Sequence, residues 1–284
     1  MIKKRNTGTG ERRTGLLVAL VVAILLLLGG VGVGCGYAYS FLSAIWHEQC
    51  RVNDCDLDVV ILTGKMVHPE VISYQFGLTN GANLATIPFA ELREDLLKRS
   101  PNVRDVKIER RLPNRVTLEV VERVPLARIA TKKGSVAEGR VADAEGVVFW
   151  YSPAATATQL PIVRESTDAP TPTGKKLTGM AAAALRLVET AALPELADLR
   201  VLEIDTSHSD YLYVKLGNHD HAQIAWERMH DDSRTARLSL QKQLRHLSKV
   251  IEAHLTPHAT VWLATDWGPH SRITASGPNN RAGN

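Results

Sequence analysis

The sequence predicts an α+β protein with a single N-terminal transmembrane helix, a small β-α-α-β-β domain, and a mixed β-rich domain with a long C-terminal helix. Three observations predict this class. Leu16–Gly36 is almost wholly apolar. Residues 100–125 contain two runs in which apolar and polar side chains alternate, as they do in strands. Residues 235–254 repeat leucine and isoleucine at helical spacing.

The first 14 residues form a basic tail. They hold five Lys or Arg residues and one Glu, so they carry the whole net charge of +4. The remaining chain is neutral and has neither a basic stripe nor interleaved aromatic residues. The basic isoelectric point of about 9.0 therefore reflects the tail, and we expect no nucleic-acid-binding face.

Residues 14–46 contain no charge, and about 20 helical residues cross a bilayer. Two alternatives are a signal-peptide cleavage site near Ala38 and a lipoprotein cleavage box at Gly34-Cys35. The apolar run is longer than in a signal peptide, and Gly32 stands where the lipoprotein box needs a branched apolar residue. We therefore interpret residues 15–45 as an uncleaved helix with its outer interface.

The charge distribution predicts the orientation of this helix. Because the basic tail precedes it, we expect a cytoplasmic N-terminus and a periplasmic domain after about residue 45. Two glycine pairs at four-residue spacing allow close helix packing, or simply reflect the glycine content of membrane helices: Gly30 with Gly34, and Gly32 with Gly36. An aromatic belt at the outer interface is expected from Tyr37, Tyr39 and Trp46.

Three cysteines occur in the chain. Cys35 lies in the apolar run. Cys50 and Cys55 lie just beyond it, in an oxidising compartment if the orientation is right, and form either a small disulfide loop or two free thiols. A metal site is not expected, because no histidine pair accompanies these two cysteines.

The small domain is predicted from five successive elements. A strand at Leu57–Thr63 and a short helix at Pro69–Gln75 come first. A second helix starts at Pro88 and repeats Phe89, Leu92, Leu96 and Leu97 at helical spacing. Two alternating strands follow, with Val106 and Ile108 in one and Val116, Leu118 and Val120 in the other. Leu112-Pro113-Asn114 supplies their turn, and Pro125 ends the second strand.

Short motifs in this stretch carry a family resemblance. They are Ile61-Leu-Thr-Gly64, Gly81-Ala-Asn-Leu84, Ser100-Pro-Asn-Val103, Arg110-Arg-Leu-Pro-Asn114 and Val121-Glu-Arg-Val-Pro-Leu-Ala127. Together they resemble a POTRA domain, and more narrowly that of the bacterial cell-division proteins FtsQ and DivIB. The resemblance implies a POTRA domain at 56–125 and a β-domain at 126–275. Residues 276–284 are rich in Gly, Pro and Asn, which predicts a disordered tail.

The β-domain elements follow from the local pattern. A hairpin is predicted from Arg140–Asp143 and Val147–Trp150 with a tight turn at Glu145-Gly146. The other predicted elements are a strand at Leu160–Val163, a helix at Gly179–Ala192, strands at Leu199–Asp205, Tyr211–Leu216 and Ala222–Ala225, a helix at Thr235–His254, and strands at Thr260–Ala264 and Arg272–Ala275.

Catalytic signatures are not found in this sequence. No Gly-x-Ser-x-Gly elbow, phosphate-binding glycine loop or Cys/His nucleophile signature occurs. His219-Asp-His221 could bind a metal if both rings shared a strand face, but the pair sits at a predicted turn. We expect surface histidines, and no enzyme activity, cofactor, metal or small-molecule substrate.

The resemblance implies a scaffold that recruits an FtsB–FtsL-like pair at the division septum through the C-terminal strands. In the family these strands carry Asp-Leu-Arg, and here Trp262-Leu263-Ala264 departs from that motif. Alternation with Val261 and Leu263 favours a core position for Trp262, whereas Trp267 is expected to be exposed. The docking residues implied are Thr260, Val261, Trp262, Leu263, Ala264, Trp267, Arg272, Ile273 and Thr274.

Two other functional classes remain open at this point. A POTRA-containing chain could belong to outer-membrane protein assembly or secretion, although no long series of lipid-facing strands follows. A periplasmic hydrolase of unknown substrate would need a pocket with perturbed acids, which the sequence does not reveal.

Overall fold

The computed structural model describes residues 35–46, 48, 57–63, 67–78, 84, 86–111, 115–134, 137, 139–152, 159–218, 220–253, 261–267 and 272–276. Most of the predicted anchor, three of its four paired glycines, Cys50, Cys55, the turn at 112–114, His219 and Thr260 lie outside these residues. Among the described residues, no helix has the length and apolar character needed to cross a bilayer.

The packing of the chain divides it into two compact units. The first consists of Met1–Asp58, Phe76–Pro88 and Glu109–Thr117, and the second of Val59–Gln75, Phe89–Ile108 and Leu118–Asn284. This division follows packing and does not test the expected domain boundaries at 56–125 and 126–275, which stay predictions.

In the first unit, residues 35–46 form helix α1. Its large apolar side chains are exposed: Tyr37, Tyr39, Phe41, Leu42, Ile45 and Trp46. Elsewhere in this unit Phe76, Leu78 and Leu84 are buried, and Arg110 Nη1 donates to the carbonyl oxygen of Leu84 at 3.1 Å.

The predicted β-α-α-β-β order of the small domain is confirmed. Its elements are β1 (Leu57–Thr63), α2 (Pro69–Gln75), α3 (Phe89–Arg99), β2 (Val103–Arg111) and β3 (Arg115–Glu122). The three strands form one sheet in the order β1-β3-β2. Strand β3 alternates as predicted, and Glu122 extends its buried series because its carboxylate accepts the backbone N–H of Val67 at 2.7 Å.

The remaining strands form one nine-stranded sheet, in the order β12-β11-β10-β9-β8-β7-β4-β5-β6. These strands are β4 (Ala127–Ala130), β5 (Arg140–Ala142), β6 (Val148–Trp150), β7 (Ile162–Arg164), β8 (Val201–Asp205), β9 (Leu212–Leu216), β10 (His221–Ile224), β11 (Val261–Ala264) and β12 (Thr274–Ser276). Neighbours β4–β7, β7–β8 and β10–β11 are parallel, and the other pairs are antiparallel.

Two helices supply the apolar layer for this sheet, α4 (Gly179–Ala191) and α5 (Arg234–Ala253). Their buried side chains join those of the sheet in one core, which confirms the leucine stripe of α5 from Leu240 to Ile251; Leu255, its last predicted member, lies outside the described residues. On α5 the buried residues are Ala236, Leu240, Gln243, Leu244 and Leu247.

Several predicted boundaries were wrong by one to three residues. Strand β3 ends at Glu122, not at Pro125, and β8 starts at Val201 because Leu199 closes a 3₁₀ turn by donating to Leu196 at 2.9 Å. Strand β7 starts after Pro161, which has no N–H to donate. Ser276 belongs to β12 and not to the tail.

The packing of α5 gives a matched test of stability on one helix. Leu240 is fully buried and Leu238 is 55% exposed. We expect Leu240→Ala to lower the free energy of unfolding by about 2–5 kcal/mol, because it removes buried methyl groups and leaves a cavity. Leu238→Ala should change it by less than about 0.5 kcal/mol. Urea unfolding followed by circular dichroism measures both, and equal losses would contradict the packing.

Candidate functional site

The nine-stranded sheet ends at β12. Strand β11 pairs with β10 on one side, from His221↔Val261 to Ile224↔Ala264, and with β12 on the other. No described strand pairs with the outer side of β12. Both backbone edges of β11 are therefore paired, which corrects the expectation that both C-terminal strands form the docking edge. Of these two strands, β12 alone has a side with which no described residue pairs.

The side chains around β12 differ in exposure. Arg272, Thr274 and Ala275 are exposed, whereas Ile273 is half-buried and packs against the core. Thr260, which was expected at this edge, lies outside the described residues. Strand β12 carries neither charge nor proline, so its outer side lacks the residues that commonly block strand pairing.

Trp262 belongs to the core, as its alternation with Val261 and Leu263 predicts. Its side chain is 2% exposed. The indole Nε1–H donates to Asp220 Oδ2 at 3.0 Å, and the same carboxylate oxygen accepts the Asn218 amide at 2.9 Å. The side chain of Trp262 is therefore not an anchor for a partner.

A second polar side chain holds the other end of β11. Gln243, buried on α5, donates its Nε2–H to the carbonyl oxygen of Ala264 at 2.7 Å. Sequence reasoning missed both Gln243 and Asp220. The sequence feature that could have identified Gln243 is its position as a single amide on the leucine stripe of α5, among Leu240, Leu244 and Leu247.

On the sheet face opposite the helices, a row of side chains extends from β12 across the neighbouring strands. Gln223, Leu263 and Thr274 are cross-strand neighbours, so their side chains point to the same face. Leu263 is half-buried there, and Trp267, just after β11, is 47% exposed, in agreement with the expected exposure. The candidate docking surface consists of the outer backbone side of β12, with which no described strand pairs, and the side chains of Gln223, Leu263, Trp267 and Thr274.

Arginines and acids form a second polar arrangement within the larger unit. Arg123 Nη1 contacts Asp143 Oδ2 at 2.5 Å and Glu145 Oε2 at 3.1 Å, and its Nε donates to the carbonyl oxygen of Pro101 at 3.0 Å. Arg104 contacts Glu145 at 2.6 Å. The side chains of Arg123 and Asp143 are only 14% and 6% exposed, so this cluster fixes residues 101–104 against the β5–β6 turn.

The β5–β6 turn is built to present these acids. Asp143 Oδ1 accepts the backbone N–H groups of Glu145 and Val147 at 3.0 and 2.9 Å. Gly146 has φ +82°, a conformation that favours glycine, and donates to the carbonyl of Asp143 at 3.0 Å. The predicted Glu145-Gly146 turn is confirmed.

The other side chains considered for a site are the histidines and cysteines. Within the described part of the chain, no group of three His, Cys, Asp or Glu side chains could hold a metal ion. The ring of His221 stacks on Tyr213 with centroids 5.3 Å apart. Cys35 is exposed and free.

The charged cluster predicts a pH-dependent stability. The hydrogen bond from Arg123, with the further contact from Arg104, holds the pKa of Glu145 below its usual value of 4.5. A depressed pKa contributes stability above the unfolded-state pKa, and that stability is lost as the pH falls through the folded-state pKa. Glu145→Gln should therefore lower the free energy of unfolding at pH 7, by at most about 1 kcal/mol because the side chain is 39% exposed.

The measurement is urea unfolding of both proteins at pH 7 and at about pH 3.5. The difference between them should shrink at the lower pH. Glu252→Gln is the matched control, since Glu252 is exposed near the end of α5 and forms no ion pair with the described residues. A difference that is the same at both pH values would contradict the role assigned to Glu145.

Comparison with known proteins identifies the small domain. Residues 58–123 match the family model of the POTRA domain, FtsQ-type. No curated protein matches the chain. The match includes most of the motifs on which the resemblance was based, and it coincides with the β-α-α-β-β elements. The chain thus contains an FtsQ-type POTRA domain, and this domain supports its membership of the FtsQ/DivIB family.

Proposed function

We propose that this chain is a non-catalytic scaffold of the bacterial division machinery, which binds other division proteins by strand addition to the outer side of β12. The FtsQ-type POTRA domain supports a role in cell division through protein–protein contacts. The observation that carries the docking mode is the outer side of β12, with which no described strand pairs and where no charge or proline blocks pairing.

Strand addition divides the work between backbone and side chains. The N–H and C=O groups of β12 supply affinity through main-chain hydrogen bonds, and alternate side chains supply specificity. In this proposal Leu263 and Trp267 contribute apolar contact area beside the added strand, while Trp262 acts from the core by fixing β11. An FtsB–FtsL-like pair is the proposed partner.

The N-terminal segment is proposed to hold this scaffold in the inner membrane at the septum, with a cytoplasmic tail and a periplasmic C-terminal region. Helix α1 supports an interfacial position, because Tyr37, Tyr39 and Trp46 leave their rings exposed in a segment without charge. Amphipathic aromatic rings favour the level of the lipid headgroups.

A non-catalytic role agrees with the FtsQ-type POTRA family, which is generally non-enzymatic. The proposal therefore gives the chain no cofactor and no substrate, and its activity is measured as binding.

Proline at two adjacent positions tests the docking edge. Neighbouring residues in a strand direct their N–H groups to opposite sides, so Thr274→Pro and Ala275→Pro remove one outward and one inward donor. We expect the variant that loses the outward N–H to keep its unfolding temperature and to bind the FtsB–FtsL-like pair at least tenfold more weakly. The other variant should lose stability because it breaks the β11–β12 ladder.

Co-purification and titration of the full chain with the partner pair measure this effect. Trp150→Ala, an exposed residue on β6 at the opposite end of the sheet, is the control and should bind normally. Undiminished partner binding by both proline variants would reject strand addition at β12.

Reporter fusions test the topology. Alkaline phosphatase, which is active only outside the cytoplasm, should be active when fused after residue 284 and inactive when fused before residue 1. Deletion of residues 15–45 together with the tail should release the chain from membranes. Activity in the opposite arrangement would reject the proposed orientation.

Depletion in living cells separates the scaffold from the two other classes. Filamentous cells and loss of midcell recruitment are expected for a division scaffold. Loss of outer-membrane proteins with normal septation would instead indicate assembly or secretion, and lost turnover of a small molecule would indicate a hydrolase.

A further inference from the structure

A cleft lies between α4 and α5, on surfaces that include no residue of β11 or β12. Its volume is about 270 Å³, and it is lined by three arginines and one acid. A single water needs roughly 10–15 Å³ of such space, so the cleft has room for a small molecule. Its lining residues are Arg186, Glu189, Thr190, Leu193, Arg234, Arg237, Leu238 and Gln241.

Arg186 lies partly buried in the wall of this cleft. Its Nη2 donates to the carbonyl oxygen of Met229 at 2.8 Å, but its Nε is shielded from solvent and has no acceptor among the described residues. Burial lowers the pKa of Arg186, while the negative charges of Asp231 and Asp232 act in the opposite direction. The guanidinium is therefore only partly compensated by the protein.

The other two arginines are at the N-terminal end of α5. Arg237 contacts Asp232 at 2.9 Å, and its Nη1 lies 3.8 Å from Glu189. Arg234 is exposed and forms no ion pair with any residue that the structure describes. Two of the three arginines in the lining thus form no ion pair with a described residue, and their planar guanidinium groups match the oxygens of a carboxylate or phosphate.

The remaining wall is largely apolar. Leu238 is 55% exposed and Leu193 is half-buried. The Thr190 hydroxyl is already committed to the carbonyl oxygen of Arg186 at 2.7 Å, and Gln241 donates to Glu195 at 2.8 Å. The cleft therefore offers cationic donors beside a short apolar surface.

We propose that this cleft binds a small anionic ligand, in which a phosphate or carboxylate group contacts Arg186 and Arg234 and a short apolar part contacts Leu193 and Leu238. The site is separate from the proposed docking edge, so either proposal can fail while the other holds. Arg237 completes the cationic wall, and its pairing with Asp232 holds its side chain in place.

Calorimetric titration of the purified full chain in detergent tests the site with inorganic phosphate and with citrate, at low ionic strength and pH 7. Sodium chloride at matched ionic strength corrects for screening. Saturable binding of at least one oxyanion is expected, and the stronger of the two identifies the ligand as phosphate-bearing or carboxylate-bearing. In parallel, the Arg186 Nε–H resonance should shift as the anion is added.

Matched variants locate the bound anion. Arg234→Gln should raise the dissociation constant at least tenfold, and Arg186→Lys, which keeps the charge but removes the planar guanidinium, should raise it at least fivefold. Lys242→Gln, which removes an exposed cation of α5 outside the cleft lining, should stay within twofold. Circular dichroism verifies that each variant is folded.

Three results would overturn the proposal. They are the absence of saturable binding of either anion by the unaltered chain, an equal loss in Lys242→Gln, and an Arg186 resonance that does not move while binding occurs. The last result is obtained with the unaltered chain and would place the anion elsewhere on the surface. It therefore tests the proposal even if Arg186→Lys folds poorly.

Discussion

The parallel pairing of β11 with β10 is the constraint on which the proposed docking edge depends. Parallel neighbours cannot be joined by a tight turn and need a crossover, which here includes α5. The leucines of α5 cover the sheet, its Gln243 binds the end of β11, and Asp220 fixes Trp262. Because β10 occupies one side of β11, β12 pairs with the other side and becomes the edge strand of the sheet.

The two edge strands of the nine-stranded sheet differ in whether another described segment runs alongside them. At the β6 end, residues 174–177 run alongside the strand, since Gly174 donates to Val148 at 2.7 Å and Val148 donates to Lys175 at 3.0 Å. At the β12 end, no described segment does this. Of the two edge strands of this sheet, only β12 has a side that no described segment covers, and this is where the proposal places an added strand.

The arginines described above differ in whether acidic side chains pair with them. Arg123 is nearly buried, yet it meets two acids and a backbone carbonyl, so its cost of desolvation is offset and it stabilises the fold. Arg186 is partly buried and its Nε has no acceptor among the described residues, and Arg234 forms no ion pair with any of them. The matched cluster is structural, whereas unmatched cations facing a cleft favour an external anion.

The sequence by itself determined the order and type of most elements, because the alternation in Val116, Leu118 and Val120 and the leucine stripe of α5 are local patterns with a fixed period. It also identified the POTRA domain from short motifs and placed Trp262 in the core. Tertiary structure alone decided the strand order, the double pairing of β11, and the meeting of Asp220 with Trp262 and of Arg123 with Asp143. Those contacts join residues 20 to 42 positions apart, and no local period encodes which distant groups meet when the chain buries its apolar faces.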